Sequence, residues 1–136
     1  MLGEMLGEEI GQMTGMRVLT SEGLPKIEVS YQASGTIYGV HTTDAGTYIS
    51  TARPNGTMFG EGQGVIMGEN GERAMYRGQG RGHFTGRGTA VSWRGAVFYE
   101  VAPGSEALMP LNGIASVFEY EVDETGKVEL RLWEWK

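Results

Sequence analysis

From Lys26 to Ala33 apolar and polar residues alternate without a break. Ile27, Val29, Tyr31 and Ala33 fall on one parity, and Lys26, Glu28, Ser30 and Gln32 on the other. A period of two sends successive side chains to opposite faces of an extended chain, so this stretch predicts a half-buried strand. Gly35 predicts a bend or bulge before the strand continues through Thr36 to Thr43. Strand-like runs recur at Met16–Thr20, Thr47–Arg53, Thr57–Met67, Glu72–Gly82, Thr85–Val101, Ile114–Val122 and Val128–Trp135. Turn chemistry separates them: Ser21-Glu22-Gly23, Asp44-Ala45-Gly46, Pro54-Asn55-Gly56, Gly68-Glu69-Asn70-Gly71, a tight reversal near His83-Phe84, and Asp123-Glu124-Thr125-Gly126. Ala102–Gly113, with Pro103 and Pro110, is the one long non-strand segment, and Ser105–Leu108 has room for one helical turn. Sustained helical periodicity appears nowhere.

About eight strands joined by short turns specify an all-β fold, a single up-and-down antiparallel β-barrel, because closure removes the exposed edges of long strands. A two-sheet β-sandwich is the alternative. Mid-strand glycines favour the barrel, since they let coiled strands turn corners. Residues 13–136 form this domain. Residues 1–12 alternate poorly and contain three glycines, which predicts a loose N-terminal arm.

The densest pattern is Gly60-Glu61-Gly62-Gln63-Gly64 followed by Gly78-Gln79-Gly80-Arg81-Gly82, with Gly86-Arg87-Gly88 beyond. One face of these strands is bare backbone and the other polar. In Thr85–Val101 the odd positions hold Val91, Trp93, Val97, Tyr99 and Val101, so odd is the inner parity there. A tight turn at residues 83–85 sets Gly82 opposite Gly86, Arg81 opposite Arg87 and Arg77 opposite Val91. Carried across the Asn70-Gly71 turn, the register sets Gln63 by Arg77 and Val65 by Met75. The expected lining then has an apolar end (Val65, Met67, Met75, Val91, Trp93, with Tyr99 also inward) and a polar end (Glu61, Gln63, Arg77, Gln79, Arg81, Arg87). The glycines fall outside, where a bare surface suits a second subunit, and a homo-oligomer through the glycine-rich face is expected.

This lining points to a small amphipathic or anionic ligand inside the barrel. Its apolar part would lie on Val65, Met75, Val91 and Trp93, and its acid on Arg77, Arg81 and Arg87 by bidentate hydrogen bonds. A second reading is an isomerase or cyclase-type enzyme with Glu61 or His41 as base. In that reading His41 is placed across from Ile49 by a turn at Asp44-Ala45-Gly46. A third is a structural module with a packed interior.

Composition narrows the partners. The net charge is −6, and an acidic chain repels a phosphate backbone. Arg77–Gly82 superficially resembles an Arg-Gly RNA-binding tract, but it is embedded in strand-forming sequence, so no nucleic acid is expected. There is no cysteine, and no apolar run nears the roughly 20 residues of a membrane helix. The acidic N-terminus lacks a basic leader and apolar stretch, which fits the cytoplasm and no membrane. Phosphate-loop, Gly-x-Gly-x-x-Gly and His-x-x-x-His patterns are missing, so the sequence calls for no cofactor and no metal.

Gly60-Glu61-Gly62-Gln63-Gly64-Val65, Trp93-Arg94-Gly95, Val117–Asp123 and the closing Trp133-Glu134-Trp135-Lys136 resemble an uncharacterised family of small prokaryotic β-barrel proteins. That resemblance implies a fold and no site residues. The strand layout is also similar to the allene oxide cyclase and dirigent type of barrel, which implies eight strands, trimers and hydrophobic ligands held inside. No catalytic motif of either matches.

Overall fold

The strand runs and turns seen in the sequence organise a closed barrel. The computed structural model covers residues 1–136. Eight strands, β1 (Leu2–Thr20), β2 (Lys26–Ile37), β3 (Val40–Ala52), β4 (Met58–Gly68), β5 (Arg73–Phe84), β6 (Val91–Val101), β7 (Ala115–Val122) and β8 (Lys127–Trp135), pair in chain order, and β8 closes on β1. Every neighbouring pair is antiparallel. A 3₁₀ helix, Glu106–Gly113, lies between β6 and β7 and buries Leu108 and Leu111 completely. No helix is long and apolar enough to cross a membrane.

Several expectations from the sequence are corrected. Residues 2–12 are the first half of β1, paired with both β2 and β8, and not a loose arm. Their alternation is hidden because the inward positions are Gly7, Glu9, Gly11 and Met13, with a single hydrophobe among them. Asp44-Ala45-Gly46 lies in mid-strand within β3, and the reversal between β2 and β3 is Tyr38-Gly39, both at positive φ (51° and 76°). Gly35 is regular, because the β2–β3 register runs without a shift. His41 therefore faces Thr36, exposed to solvent, and not Ile49.

The last correction reverses the barrel wall. The connection from β5 to β6 is a loop, Thr85–Ala90, so Gly82 pairs with Trp93 and not with Gly86. Arg81 lies opposite Arg94, and Arg77 opposite Phe98. Trading a tight turn for a longer loop swaps parity, which sends every side chain of β4 and β5 to the other face. The β4–β5 register itself is as expected, with Gln63 opposite Arg77 and Val65 opposite Met75. The even positions, which include the glycines, face in, and Glu61, Gln63, Val65, Met67, Met75, Arg77, Gln79 and Arg81 face out. The glycine face is thus not available to a second subunit.

The inward glycines make room for aromatics. A Cβ on Gly60 would stand 2.7 Å from the Trp93 ring, and one on Gly82 2.8 Å from it. A Cβ on Gly64 would collide with the Tyr76 hydroxyl, and one on Gly46 with both Tyr31 and Tyr76. Each ring lies over glycines of neighbouring strands, since Tyr31 pairs with Gly46, Tyr76 with Gly64 and Trp93 with Gly82. The core has two parts bridged by Phe118. One is plugged by the 3₁₀ helix and includes Ile37, Ile66, Val97, Tyr99 and Leu132; the other centres on Tyr31, Met58, Trp93, Tyr120 and Val128.

Candidate functional site

A polar chain crosses the interior among these aromatics. Glu9 on β1, Gly35 on β2 and Thr42 on β3 form one cross-strand row. Since Gly35 has no side chain, Glu9 reaches over β2, and the Thr42 hydroxyl donates to Glu9 Oε2 at 3.0 Å. Glu9 Oε1 has no donor, and the Asp44 carboxyl, two residues along β3 from Thr42, is the neighbour with which it can share a proton. Tyr76 from β5 donates to Asp44 Oδ1 at 2.7 Å, and Tyr31 from β2 hydrogen-bonds the Tyr76 hydroxyl. Glu9 and Asp44 are only 1% and 4% exposed, so charge on both would be very costly.

Removal from water, followed by the hydrogen bond to Asp44 and its charge, pushes the Glu9 carboxyl up to about 9. Burial also raises Asp44, against the lowering effect of its bonds with Glu9 and Tyr76. One proton bridging the pair accounts for both directions, with Glu9 as the donor and Asp44 as the acceptor. Burial likewise raises Tyr31, Tyr76, Tyr99 and Tyr120, keeping their hydroxyls neutral. The network ties β1, β2, β3 and β5 together by hydrogen bonds that replace those lost to water.

Beside it is an internal cavity of about 70 Å³, bordered by Asp44, Tyr48, Tyr76, Trp93 and Tyr120. Trp93 Nε1 and the Tyr120 hydroxyl are buried beside the Tyr48 hydroxyl without a well-formed hydrogen bond. At roughly 10–15 Å³ of such space per water, it has room for a few waters and is well below the size of a drug-like ligand site. Such waters would satisfy these two groups.

The larger hollow is on the outside of the same wall. A cleft of about 560 Å³ lies over β4 and β5. The Gly62–Gly78 pair and its neighbours border both it and the inner cavity, so the two hollows stand back to back. Cross-strand pairing makes a square in the cleft floor, with Glu61 opposite Gln79 and Gln63 opposite Arg77. Glu61 and Arg77 occupy one diagonal, yet neither enters an ion pair. Ile49, Ala96 and Phe98 add apolar surface, and Phe98 is 57% exposed. Glu28, at the edge, is already held by Arg17 at 3.4 Å.

Of the residues singled out from the sequence, Glu61, Gln63, Arg77 and Gln79 do come together, on the outer surface. Met75 and Val65 pair beside them, exposed. Arg81, on the next rung of the same face, lies over Phe59 at 5.8 Å, with Arg53 at 5.1 Å from the same ring, and does not line the cleft. Arg87 lies in the exposed β5–β6 loop. Val91, Trp93 and Tyr99 are inside as expected, separated from the arginines by the barrel wall. His41 is outside and apart from Glu61. The residues the sequence reading missed are Glu9, Asp44, Tyr76 and Tyr48. Asp44 shares parity with Thr42 and Tyr48 on β3, a signal masked by the turn-like Asp-Ala-Gly. No cluster of three His, Cys, Asp or Glu side chains is placed to hold a metal.

No protein-family model and no curated protein matches the sequence. Solved structures do match, over nearly the whole chain. A conserved protein of unknown function from Rhodopseudomonas palustris is 11% identical with a TM-score of 0.79, over 98% of this chain and 97% of its own. A protein of unknown function from Clostridium acetobutylicum ATCC 824 is 10% identical with a TM-score of 0.81, over 96% of each chain. A β-barrel-like protein from Acinetobacter baumannii AYE is 12% identical with a TM-score of 0.79, over 100% of this chain and 96% of its own. At these identities the likeness establishes the architecture, that of an uncharacterised β-barrel, and no activity comes with it.

Proposed function

We propose that this barrel binds a small zwitterionic molecule on its outer wall, with a carboxylate on Arg77, an ammonium on Glu61 and an apolar group on Phe98 and Ile49. The observation that carries this is the unpaired Glu61–Arg77 diagonal in a cleft of about 560 Å³, a size within the usual range for ligand sites of roughly 300–1,000 Å³. Arg77 offers a planar fork that matches a carboxylate, and Gln63 and Gln79 supply donors and acceptors on either side. The amphipathic ligand expected from the sequence keeps its acid-binding arginine and loses its place in the interior. Exposed ion pairs contribute only about 0.2–1 kcal/mol each, so affinity is modest and rests largely on the apolar contact. The cyclase and dirigent likeness concerns architecture alone: a cavity of about 70 Å³ does not hold a hydrophobic ligand of that kind. An acid–base reaction has little support, because Glu61 and His41 both stand in solvent.

The test is a chemical-shift titration with three probes: phenylalanine, 3-phenylpropionate, which lacks the ammonium, and phenethylamine, which lacks the carboxylate. Phenylalanine should move the amides around Glu61–Gln63 and Arg77–Gln79 at the lowest concentration. Arg77→Ala should erase its advantage over the amine, and Glu61→Ala its advantage over the acid. Amides that stay still with all three probes would sink the proposal.

A further inference from the structure

Strand pairing is incomplete at three ends of the barrel: β1 before Gly7 lacks a β2 partner, β6 beyond Val97 lacks a β7 partner, and β1 beyond Met13 lacks a β8 partner. Pairing with β8 stops at Gln12 opposite Lys127, followed by one bond from Met13 N–H to the Gly126 carbonyl. From Thr14 to Thr20, β1 pairs with β2 alone, so its other edge presents backbone N–H and C=O groups that nothing in the chain satisfies. Such an edge is a template for another strand, and proteins normally blunt it with charge, proline or brevity. Here charge, proline and brevity give little protection, and the interruptions are two bulges in the β1–β2 ladder, at Thr14 and Leu19. Met16, Val18 and Leu19 are 56%, 60% and 41% exposed, there is no proline, and Arg17 is the only charge between Ile10 and Thr20. Arg17 is itself held by Glu28 across the strand pair.

We propose that this edge joins a second copy of the same chain, β1 to β1 in antiparallel register about a two-fold axis at Val18, making one sheet continuous through two barrels. A copy of this chain fits for two reasons. Centred on Val18, the register sets Val18 against Val18 and brings Arg17 of each copy beside the Leu19 bulge of the other, so no like charges are opposed, whereas a centre at Arg17 would oppose two arginines. Two molecules of net charge −6 also repel wherever carboxylates meet, and this edge is an acid-free stretch where they can approach. The pairing is isologous, so it closes as a dimer instead of propagating. Met16 and Val18 pair with Val29 and Ile27 of β2, and in the dimer these apolar rows run on from one copy into the other.

The experiment is light scattering on the full chain, up to about 1 mM, where an interface worth only about 4 kcal/mol is half formed. Two variants, Val18→Asp and Val18→Lys, place like charges opposite each other at the axis. Since Val18 is exposed, both should keep the wild-type melting profile. The expected result is a dimeric wild type, two monomeric variants, and recovery of a dimer when the variants are mixed, because Asp then faces Lys. A wild type that is monomeric throughout, or a dimer indifferent to charge at Val18, overturns the proposal. Loss in both variants without recovery on mixing overturns the Val18-centred register on which it depends.

Discussion

The wall formed by β4 and β5 carries polar groups near both faces, and the two sets do different work. Inside, Asp44, Tyr76 and Tyr31 are buried and linked by hydrogen bonds, and burial beside Asp44 favours the protonated form of Glu9. Outside, Glu61, Gln63, Arg77 and Gln79 are exposed and free of ion pairs. A buried carboxyl must find partners within the fold, so its position is an architectural decision. An exposed one can be left unpaired at little cost, which is the condition for meeting a ligand. The outer face of β6, β7, β8 and β1 sharpens the contrast: there Arg94, Glu119, Arg131 and Glu8 form a cross-strand row in which every charge has an opposite neighbour.

The largest effect should come from pH acting on the inner set. The folded state holds a proton on Glu9 up to about 9, whereas an ordinary carboxyl releases it near 4.5. The native protein therefore binds more protons than the unfolded chain across that window, and stability falls as pH rises through it. The contribution is fully present below about pH 4.5 and exhausted above about pH 9. At about 1.4 kcal/mol per unit, the loss between about pH 5 and pH 8 is about 4 kcal/mol. Glu9→Gln keeps an acceptor for Thr42 and a donor for Asp44 without a titrating proton. Denaturant melts should show the wild type weakening with pH and the variant nearly flat, so that Glu9→Gln becomes the more stable protein on the alkaline side. A wild-type curve as flat as the variant would mean that the pair is not protonated.

Next is the substitution Gly64→Val, which separates the two faces at neighbouring positions. The new side chain enters the space of the Tyr76 hydroxyl, breaking its bond to Asp44 as well as overpacking the aromatics. A loss of about 3 kcal/mol or more is expected in a urea melt. Gln63→Ala, one residue away on the outer face, should change stability by no more than about 0.5 kcal/mol. Equal losses at both positions would mean that the faces are not as described.

The same wall shows why the fold was legible in the sequence and its facing was not. Pro54-Asn55-Gly56, Gly68–Gly71 and Asp123–Gly126 are true turns, and alternation marks the strands between them, so strand number and the β4–β5 register follow from local chemistry. Facing depends on the length of one connection. Reading a reversal at His83-Phe84, where the chain makes the loop Thr85–Ala90, inverted both strands while leaving their mutual pairing intact. A volume argument would have corrected it: Trp93 and Tyr76 need empty positions on the neighbouring strands, and only glycine provides them. The Glu9–Asp44 pair was hidden for a different reason. An acid on an inward parity, flanked by Gly7 and Gly11 or by Thr42 and Gly46, does not register as core until its partner three-dimensionally beside it is known.

The smallest effect bears most directly on the outer set. Arg94 contacts Glu119 at 3.7 Å and Glu121 at 3.2 Å, and it also donates to the Trp93 carbonyl at 2.9 Å. Arg94→Ala should therefore cost up to about 1 kcal/mol, less at high salt. Arg77 has no such partner, and Arg77→Ala should change stability by less than about 0.5 kcal/mol in either direction. A thermal melt of the two variants side by side, at low and high salt, distinguishes them. If Arg77→Ala destabilises as much as Arg94→Ala and shows the same salt dependence, then Arg77 is paired in solution, the Glu61–Arg77 diagonal is closed, and the cleft has no free charge to offer a ligand. If it is neutral while phenylalanine binding is lost, the arginine is held for something other than the fold.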